Sequence, residues 1–434
     1  MKRLTGLIVV LFLWLGLAQA QQVITLEQAI QLALKNNYAI QVAKNETEIS
    51  KNEATAGNAG MLPQLSLNSG ATFSSSNTHQ EFATGTTVDK NGAVSTGVSA
   101  GVALNWTLFD GMKMFVTRDK LNELSSMSEI ELKIDIENTV EDICVQYYKL
   151  VKQKQLIKAI ENNLELYKER IKIAEAKLKI GSESKLDYLQ AKVDMNEQTS
   201  DYLKQKNTMS EMKIALNKLL ASQVDSEFDV VDSIVISYSP TLEELKTTAI
   251  AGNTQLQWQQ KNIDLVKYTL RELEAQRYPK LVLNSAYNFT RTDNQAGMVL
   301  YNRNLGPSAG LTLSWNIFNG RTLNSQIQNS QLLISNSELL LKNTRSHVEG
   351  SLLQAFISFN NAKTILELEE ENLLLAKENV DVALERFRLG SSNSIQLKEA
   401  QRSYEDAQTR LVNARYETKI AEISLMKLNG TLVK

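Results

Sequence analysis

Residues able to do bond-making chemistry are scarce in this chain of 434 residues. His79 and His347 are its only histidines and Cys144 its only cysteine. A catalytic nucleophile needs a base beside it, and a structural zinc needs four nitrogen or sulfur ligands. Neither a Ser/His/Asp set nor a cysteine-based zinc site can be assembled, and a single cysteine gives no disulfide framework. A Gly-rich phosphate loop and a dinucleotide turn are also missing. The reading is no catalytic residue, no metal, no cofactor and no enzyme. The formal charge of -2, which becomes -4 without Lys2 and Arg3, argues against nucleic acid as a partner.

Two other pairs of residues stand out by type and spacing. Trp106 and Trp315 lie 209 positions apart, each closing an alternating segment, and amphipathic rings there suit a membrane–water interface. The blander reading is a pair of sandwich-core tryptophans. Gly181 and Gly390 share that spacing. Each follows basic residues, Lys177 and Lys179 or Arg386 and Arg388, which complement a helix C-terminus while glycine supplies a left-handed cap.

The elements that position these residues are strands feeding long helices. Ala309, Leu311, Leu313, Trp315 and Ile317 alternate with Gly310, Thr312, Ser314 and Asn316, a strand with one apolar face. From Arg321 to Leu389 there is no proline and only Gly350 interrupts, so a helix of roughly 100 Å is expected. The same order occurs earlier. Gly101, Trp106, Phe109, Gly111 and Gly181 recur as Gly310, Trp315, Phe318, Gly320 and Gly390, and Leu216 recurs as Leu425. Upstream the offset is 216, taking Leu26 to Leu242, Asn37 to Asn253 and Pro63 to Pro279. One unit has been duplicated, and the length change falls between the two strands of each half.

The expected layout has a secretory signal over residues 1–20, with Lys2 and Arg3 before an apolar core and a small-residue cleavage site at Ala18 and Ala20. The first repeat covers 21–220, with entry helices, strands at about 62–74 and 96–109, and a helical hairpin over 112–220. A linker over 221–240 precedes the second repeat, 241–434, with strands at about 279–291 and 307–318 and a hairpin over 321–430. Thr25 is the expected N-cap of the first helix. Residues 75–94 read as a polar loop. Pro63, Pro279 and Pro307 read as strand openers and Pro240 as the start of the second half. No segment after the leader is apolar enough for a membrane-spanning helix, so any membrane crossing must use strands.

In the last helix Leu397, Ala400, Tyr404, Ala407, Leu411, Ala414, Thr418, Ala421, Leu425 and Leu428 form a heptad seam with small residues for close helix approach. A soluble bundle would give the same seam. Four strands cannot close a barrel, and open sheet edges are not tolerated in lipid. Closed barrels begin at about eight strands, so the chain must associate as a dimer or a trimer.

The opening Thr25-Leu26-Glu27-Gln28-Ala29, the duplicated strand pairs, and the segment from Arg386-Phe387-Arg388-Leu389-Gly390 to Leu428-Asn429-Gly430 resemble the TolC-type outer membrane efflux proteins over the whole chain after the leader. The resemblance implies an α+β membrane protein. A homotrimer would join a 12-stranded β-barrel in outer membrane lipid to a periplasmic α-barrel of coiled-coil helices. It implies an export channel, the exit duct of a tripartite efflux or type I secretion system, with a periplasmic adaptor and an inner-membrane pump as partners. The alternative is a periplasmic coiled-coil structural or adaptor protein that transports nothing.

The resemblance also implies a gate at the helix turns. The acidic position after the first-half glycine is Asp187. Its arginine partner in the family is here Ser392, and a tyrosine of the family is here Phe387. Of two acidic positions that ring the constriction, one is Gln396 and the other Glu399. Asp187, without its arginine, is expected either to meet Lys398 across the turn or to be free. Apolar packing around Phe387 and Ile395 is the alternative way to close the aperture.

Overall fold

The computed structural model describes residues 23–182 and 184–433; the expected leader lies outside them. In chain order the elements are β1 (Val23–Ile24), α1 (Leu26–Asn36), α2 (Tyr38–Glu53), β2 (Gln64–Glu81), β3 (Thr87–Phe109), α3 (Lys113–Lys179) and α4 (Lys185–Leu219). Then come β4 (Asp229–Val230), α5 (Leu242–Gly252), α6 (Thr254–Ala275), β5 (Lys280–Asn294), β6 (Tyr301–Ser314), α7 (Thr322–Arg388) and α8 (Ser394–Leu428). Both repeats open with a capping box. Thr25 Oγ1 accepts from Gln28 N–H and Gln28 Oε1 accepts from Thr25 N–H, and Thr241 with Glu244 does the same. Among the described residues no helix is long and apolar enough to cross a membrane.

The chain forms two compact units, each built from both repeats. One comprises Glu46–Ile130 with Trp258–Lys342, and the other holds the rest of the described residues. The first carries an antiparallel sheet in the order β2-β3-β5-β6. The register stacks Leu65, Leu104 and Ser285 along one row, then Leu67, Val102 and Tyr287, so the apolar alternation of each strand falls on a common face. The opposite face gathers Asn68, Gly101, Asn288 and Gly306, and is made of small and uncharged polar residues from there to the row of Asn284.

The strands run farther than their apolar alternation predicts. β2 and β3 pair to Glu81 and Thr87, so residues 75–94 are mostly a two-stranded arm rather than a loop, and only 82–86 connect the strands. That arm is Ser-, Thr- and Asn-rich on both faces. It therefore lacks the apolar alternation that marks a strand, while its backbone ladder needs none. β6 likewise begins at Tyr301 and ends at Ser314, short of the expected Phe318. Pro307 lies within it, opposite Tyr287, rather than at its start. Within this chain β6 is an edge strand, the kind of strand whose interior admits a proline.

The second unit repeats one packing scheme. Ala29 and Ala33 of α1 are fully buried in a cluster with Ile143 and Leu150 of α3 and Leu216 of α4. Their counterparts by the repeat, Leu245 and Ala249 of α5, pack with Leu352 and Phe359 of α7 and Leu425 of α8. The joints match too. Asn37 donates from Nδ2 to the Leu219 carbonyl and caps Ile40 N–H through Oδ1, and Asn253 does the same to Leu428 and Leu256. The seam of α8 is largely internal, with Leu397, Ala400, Ala407, Leu411, Ala414, Thr418 and Leu425 buried. In contrast, Leu353, Ile357, Leu368, Leu375 and Val382 of α7 leave an apolar stripe exposed.

Candidate functional site

Both helical turns are closed by the same backbone device. Gly181 and Gly390 have φ of 76° and 75°. Ser182 N–H reaches back to the Lys177 carbonyl and Gly181 N–H to that of Leu178; Ser391 and Gly390 repeat this on Arg386 and Phe387. This double bond pattern needs the left-handed conformation that glycine adopts without a Cβ clash. The following helices are capped by Ser184, which accepts from Asp187 N–H, and by Asn393, which accepts from Gln396 N–H. Asp187 and Gln396 are thus equivalent third positions of α4 and α8, where a carboxylate gains from the helix dipole.

Asp187 meets neither Lys398 nor Ser392. Its Oδ2 accepts from Ser184 Oγ at 2.6 Å and its Oδ1 from Ser394 Oγ at 2.7 Å, and these bonds hold its carboxyl below the ordinary aspartate range. Ser392 Oγ has no hydrogen-bond partner among the described residues. Lys398 instead donates to Asp194 Oδ1 at 2.8 Å. Asp194 lies about two turns beyond Asp187 on α4 and Lys398 about one turn beyond Ser394 on α8, an offset of about 4–5 Å that the long lysine side chain spans.

Asp194 is the hub of a network that the sequence reading missed. It is 4% exposed, and its Oδ2 accepts from Arg170 Nη1 at 3.0 Å; Arg170 is 2% exposed. The same Nη1 lies 3.4 Å from Gln401 Oε1, and Gln190 donates to Asp194 Oδ1 at 2.8 Å. Burial pushes the Asp194 carboxyl up, but hydrogen bonds from Lys398 and Gln190 and the Arg170 charge together hold it below the ordinary range. Farther along, Gln198 donates to Glu405 at 3.1 Å and Asn163 to Gln408 at 2.8 Å. Burial raises the Glu405 carboxyl to about 7, against a hydrogen bond from Tyr167 that lowers it. Polar contacts therefore tie α3 and α4 of the first hairpin to α8 of the second. The heptad spacing of Asn163 to Arg170 and of Gln401 to Gln408 is the signal that could have pointed to them.

Phe387 is 1% exposed, packed with Leu384, Leu397, Leu166 and Ile173, with Lys177 Nζ 4.0 Å from its ring centre. It belongs to the core between the hairpins. Arg388 adds ion pairs to Glu385 and Glu169. Ile395 and Leu389 are 74% and 79% exposed. Glu399 and Gln396 are exposed on α8 and line, with Ser392, Arg386 and Val382, a shallow cavity of about 260 Å³.

In the sheet-bearing unit, Trp106 Nε1 donates to the Met61 carbonyl at 2.9 Å and Trp315 Nε1 to the Arg277 carbonyl at 3.0 Å. Each indole thus clamps the chain just before the strand-opening prolines Pro63 and Pro279, with its ring partly exposed. A ring with its N–H satisfied and its body in the open is the form that an interfacial tryptophan takes. No group of histidine, cysteine and carboxylate side chains that could hold a metal occurs among the described residues.

The family profile described as outer membrane efflux protein matches residues 29–222 and 245–431, one match per repeat. The outer membrane protein TolC of Escherichia coli (strain K12) is 19% identical over 441 residues, covering 100% of this chain and 87% of TolC. The proteases secretion protein PrtF of Dickeya chrysanthemi is 21% identical over 440 residues, covering 98% of this chain and 92% of its own. Among solved structures, the Campylobacter jejuni CmeC outer membrane channel superposes with a TM-score of 0.78 at 16% identity, covering 94% of this chain and 85% of CmeC. With the profile matching most of both repeats, this chain belongs to the outer membrane efflux protein family.

Proposed function

We propose that the protein is an outer membrane export channel, the exit duct through which an inner-membrane pump and a periplasmic adaptor discharge cargo. The observation that carries this reading is the four-stranded sheet, with an apolar face, an opposite face of small and uncharged polar residues from the row of Asn284 to that of Asn288, and outer edges on β2 and β6 that lack partners among the described residues. In lipid such edges must be closed, which copies of the chain achieve by pairing β6 of one with β2 of the next. Three copies give a barrel of 12 strands whose apolar face meets lipid and whose polar face lines the lumen. The exposed apolar stripe of α7 supports association of the helices as well.

The helical turns are the pump-facing tips. Leu389, Ile395, Ile180 and Leu186 offer an exposed apolar surface there for an adaptor. At rest, the bonds of Ser394 to Asp187, Lys398 to Asp194 and Arg170 to Gln401 hold the first hairpin against the second, with Asp194 and Arg170 braced on each other inside the first. Opening separates them. Glu399, one per copy, makes the aperture acidic, and the ring is weaker than it would be with a carboxylate at Gln396 as well.

The test is fractionation of cells followed by gel migration with and without heating. An oligomer extracted from the outer membrane that falls to monomer on heating is expected. A monomer recovered in the soluble periplasmic fraction would instead indicate a coiled-coil envelope protein without transport.

A further inference from the structure

One feature of the sheet is unexplained by closing a barrel. Arg291 of β5 and Arg303 of β6 are directly opposite each other, and by alternation both point from the apolar face that carries Leu283, Tyr287, Leu305 and Leu311. Like charges directly opposed across an antiparallel pair are destabilising. The side chains are nonetheless held there: Arg291 lies 5.5 Å over the Tyr301 ring and Arg303 5.7 Å over the Phe289 ring. Asp293 takes the Arg291 Nε at 2.9 Å. For Arg303, no carboxylate among the described residues lies within ion-pair distance.

Their height on the sheet is informative. Trp106 is opposite Leu283, and Val98 is opposite Arg291 on the same strands. The interval along β5 is eight residues, which is about 27 Å at ~3.4 Å per residue. At a tilt of about 40° this is roughly 21 Å across a bilayer, close to the ~25 Å apolar band of outer membrane barrels. With the tryptophans at one rim, the arginines fall at the other, where phosphates of lipid headgroups lie.

We propose that Arg291 and Arg303 form a binding site for the phosphate of an anionic membrane lipid, whose acyl chains lie along the apolar face below. The planar guanidinium forks match phosphate oxygens, the ring contacts pre-orient both side chains, and the anion removes the repulsion between them. This assignment rests on the reading that the sheet spans the membrane.

The protein extracted in a nonionic detergent, still oligomeric, is titrated with phosphatidylglycerol or phosphatidylcholine, and bound lipid is counted by native mass spectrometry. Wild type should prefer phosphatidylglycerol. Arg303→Gln should lower that affinity about ten-fold, the scale of one lost charge-assisted hydrogen bond. Arg303→Lys should retain part of it, Asp293→Asn should raise it, and Asn302→Ser on the opposite face should change nothing. Equal binding of the two lipids, or unchanged binding in Arg303→Gln, overturns the proposal, as does displacement of the lipid by equimolar inorganic phosphate. A loss of oligomer in Arg303→Gln at unchanged lipid per chain would make the arginine an ion-pair partner between copies, again overturning it. A protein that never enters membranes would instead remove the underlying reading, and its gel migration would already have shown that.

Discussion

Replacing Asp194 by Asn would leave Arg170 charged in an interior where it is only 2% exposed. Breaking one side of a buried pair typically costs about 3–5 kcal/mol, because the surviving charge keeps its desolvation penalty without its partner. The Lys398 arm is different. Its side chain is 47% exposed, so its bond to Asp194 is partly screened and should be worth at most about 1 kcal/mol. The contrast is readable by amide hydrogen exchange in α4 around Asp194. Asp194→Asn should speed exchange there by roughly a hundred- to a few thousand-fold, and Lys398→Met by no more than about five-fold. Replacing Arg170 and Asp194 together by Met and Leu should recover most of the loss, since neither charge is then buried alone. Equal exchange in Asp194→Asn and Lys398→Met would refute the view that the buried arginine makes this site the stronger tie.

The Glu405 carboxyl, raised to about 7 by burial, favours the packed hairpins when protonated. Its stabilising effect is full below the ordinary value of 4.5 and is lost as pH rises through 7, so thermal stability should fall over that window in wild type and stay flat in Glu405→Gln. Glu399→Gln should reduce cation preference in planar-bilayer recordings; unchanged selectivity would make Glu399 a surface charge. Replacing both Gly181 and Gly390 by Val places branched side chains at φ near 75°, a strain of about 1–2 kcal/mol each. Export should fall while oligomer assembly persists, and normal export would show that the tips do not dock. A tag at Gly85, in the turn between β2 and β3, should be labelled on intact cells, and labelling only after disruption of the outer membrane would reverse the sheet's orientation.

The duplicated architecture was legible because the repeat places equivalent residues at equivalent joints. Leu216 and Leu425, Asn37 and Asn253, and Gly181 and Gly390 recur in sequence and then in packing, capping and turn geometry. The polar arm of β2 and β3 was not legible, because backbone pairing extends it and its polar side chains leave no apolar alternation to read. Phe387 was legible as a tip residue but not as a core residue: only the approach of the two hairpins, with Leu166 and Ile173 from α3, decides what covers it. The Asp194 network was missed for the same reason. Its members come from three helices, and a charged residue in a helical sequence reads as solvated until the helix that buries it is known.

Copies of this chain are proposed to enclose a water-filled pore. Purified oligomer added to a planar lipid bilayer tests it most directly. Stepwise insertion of identical channels with a stable resting conductance is expected, and a higher conductance in Asp194→Asn as the hairpins loosen. A heat-modifiable oligomer that inserts without any ion conductance, in wild type and in Asp194→Asn alike, would contradict it.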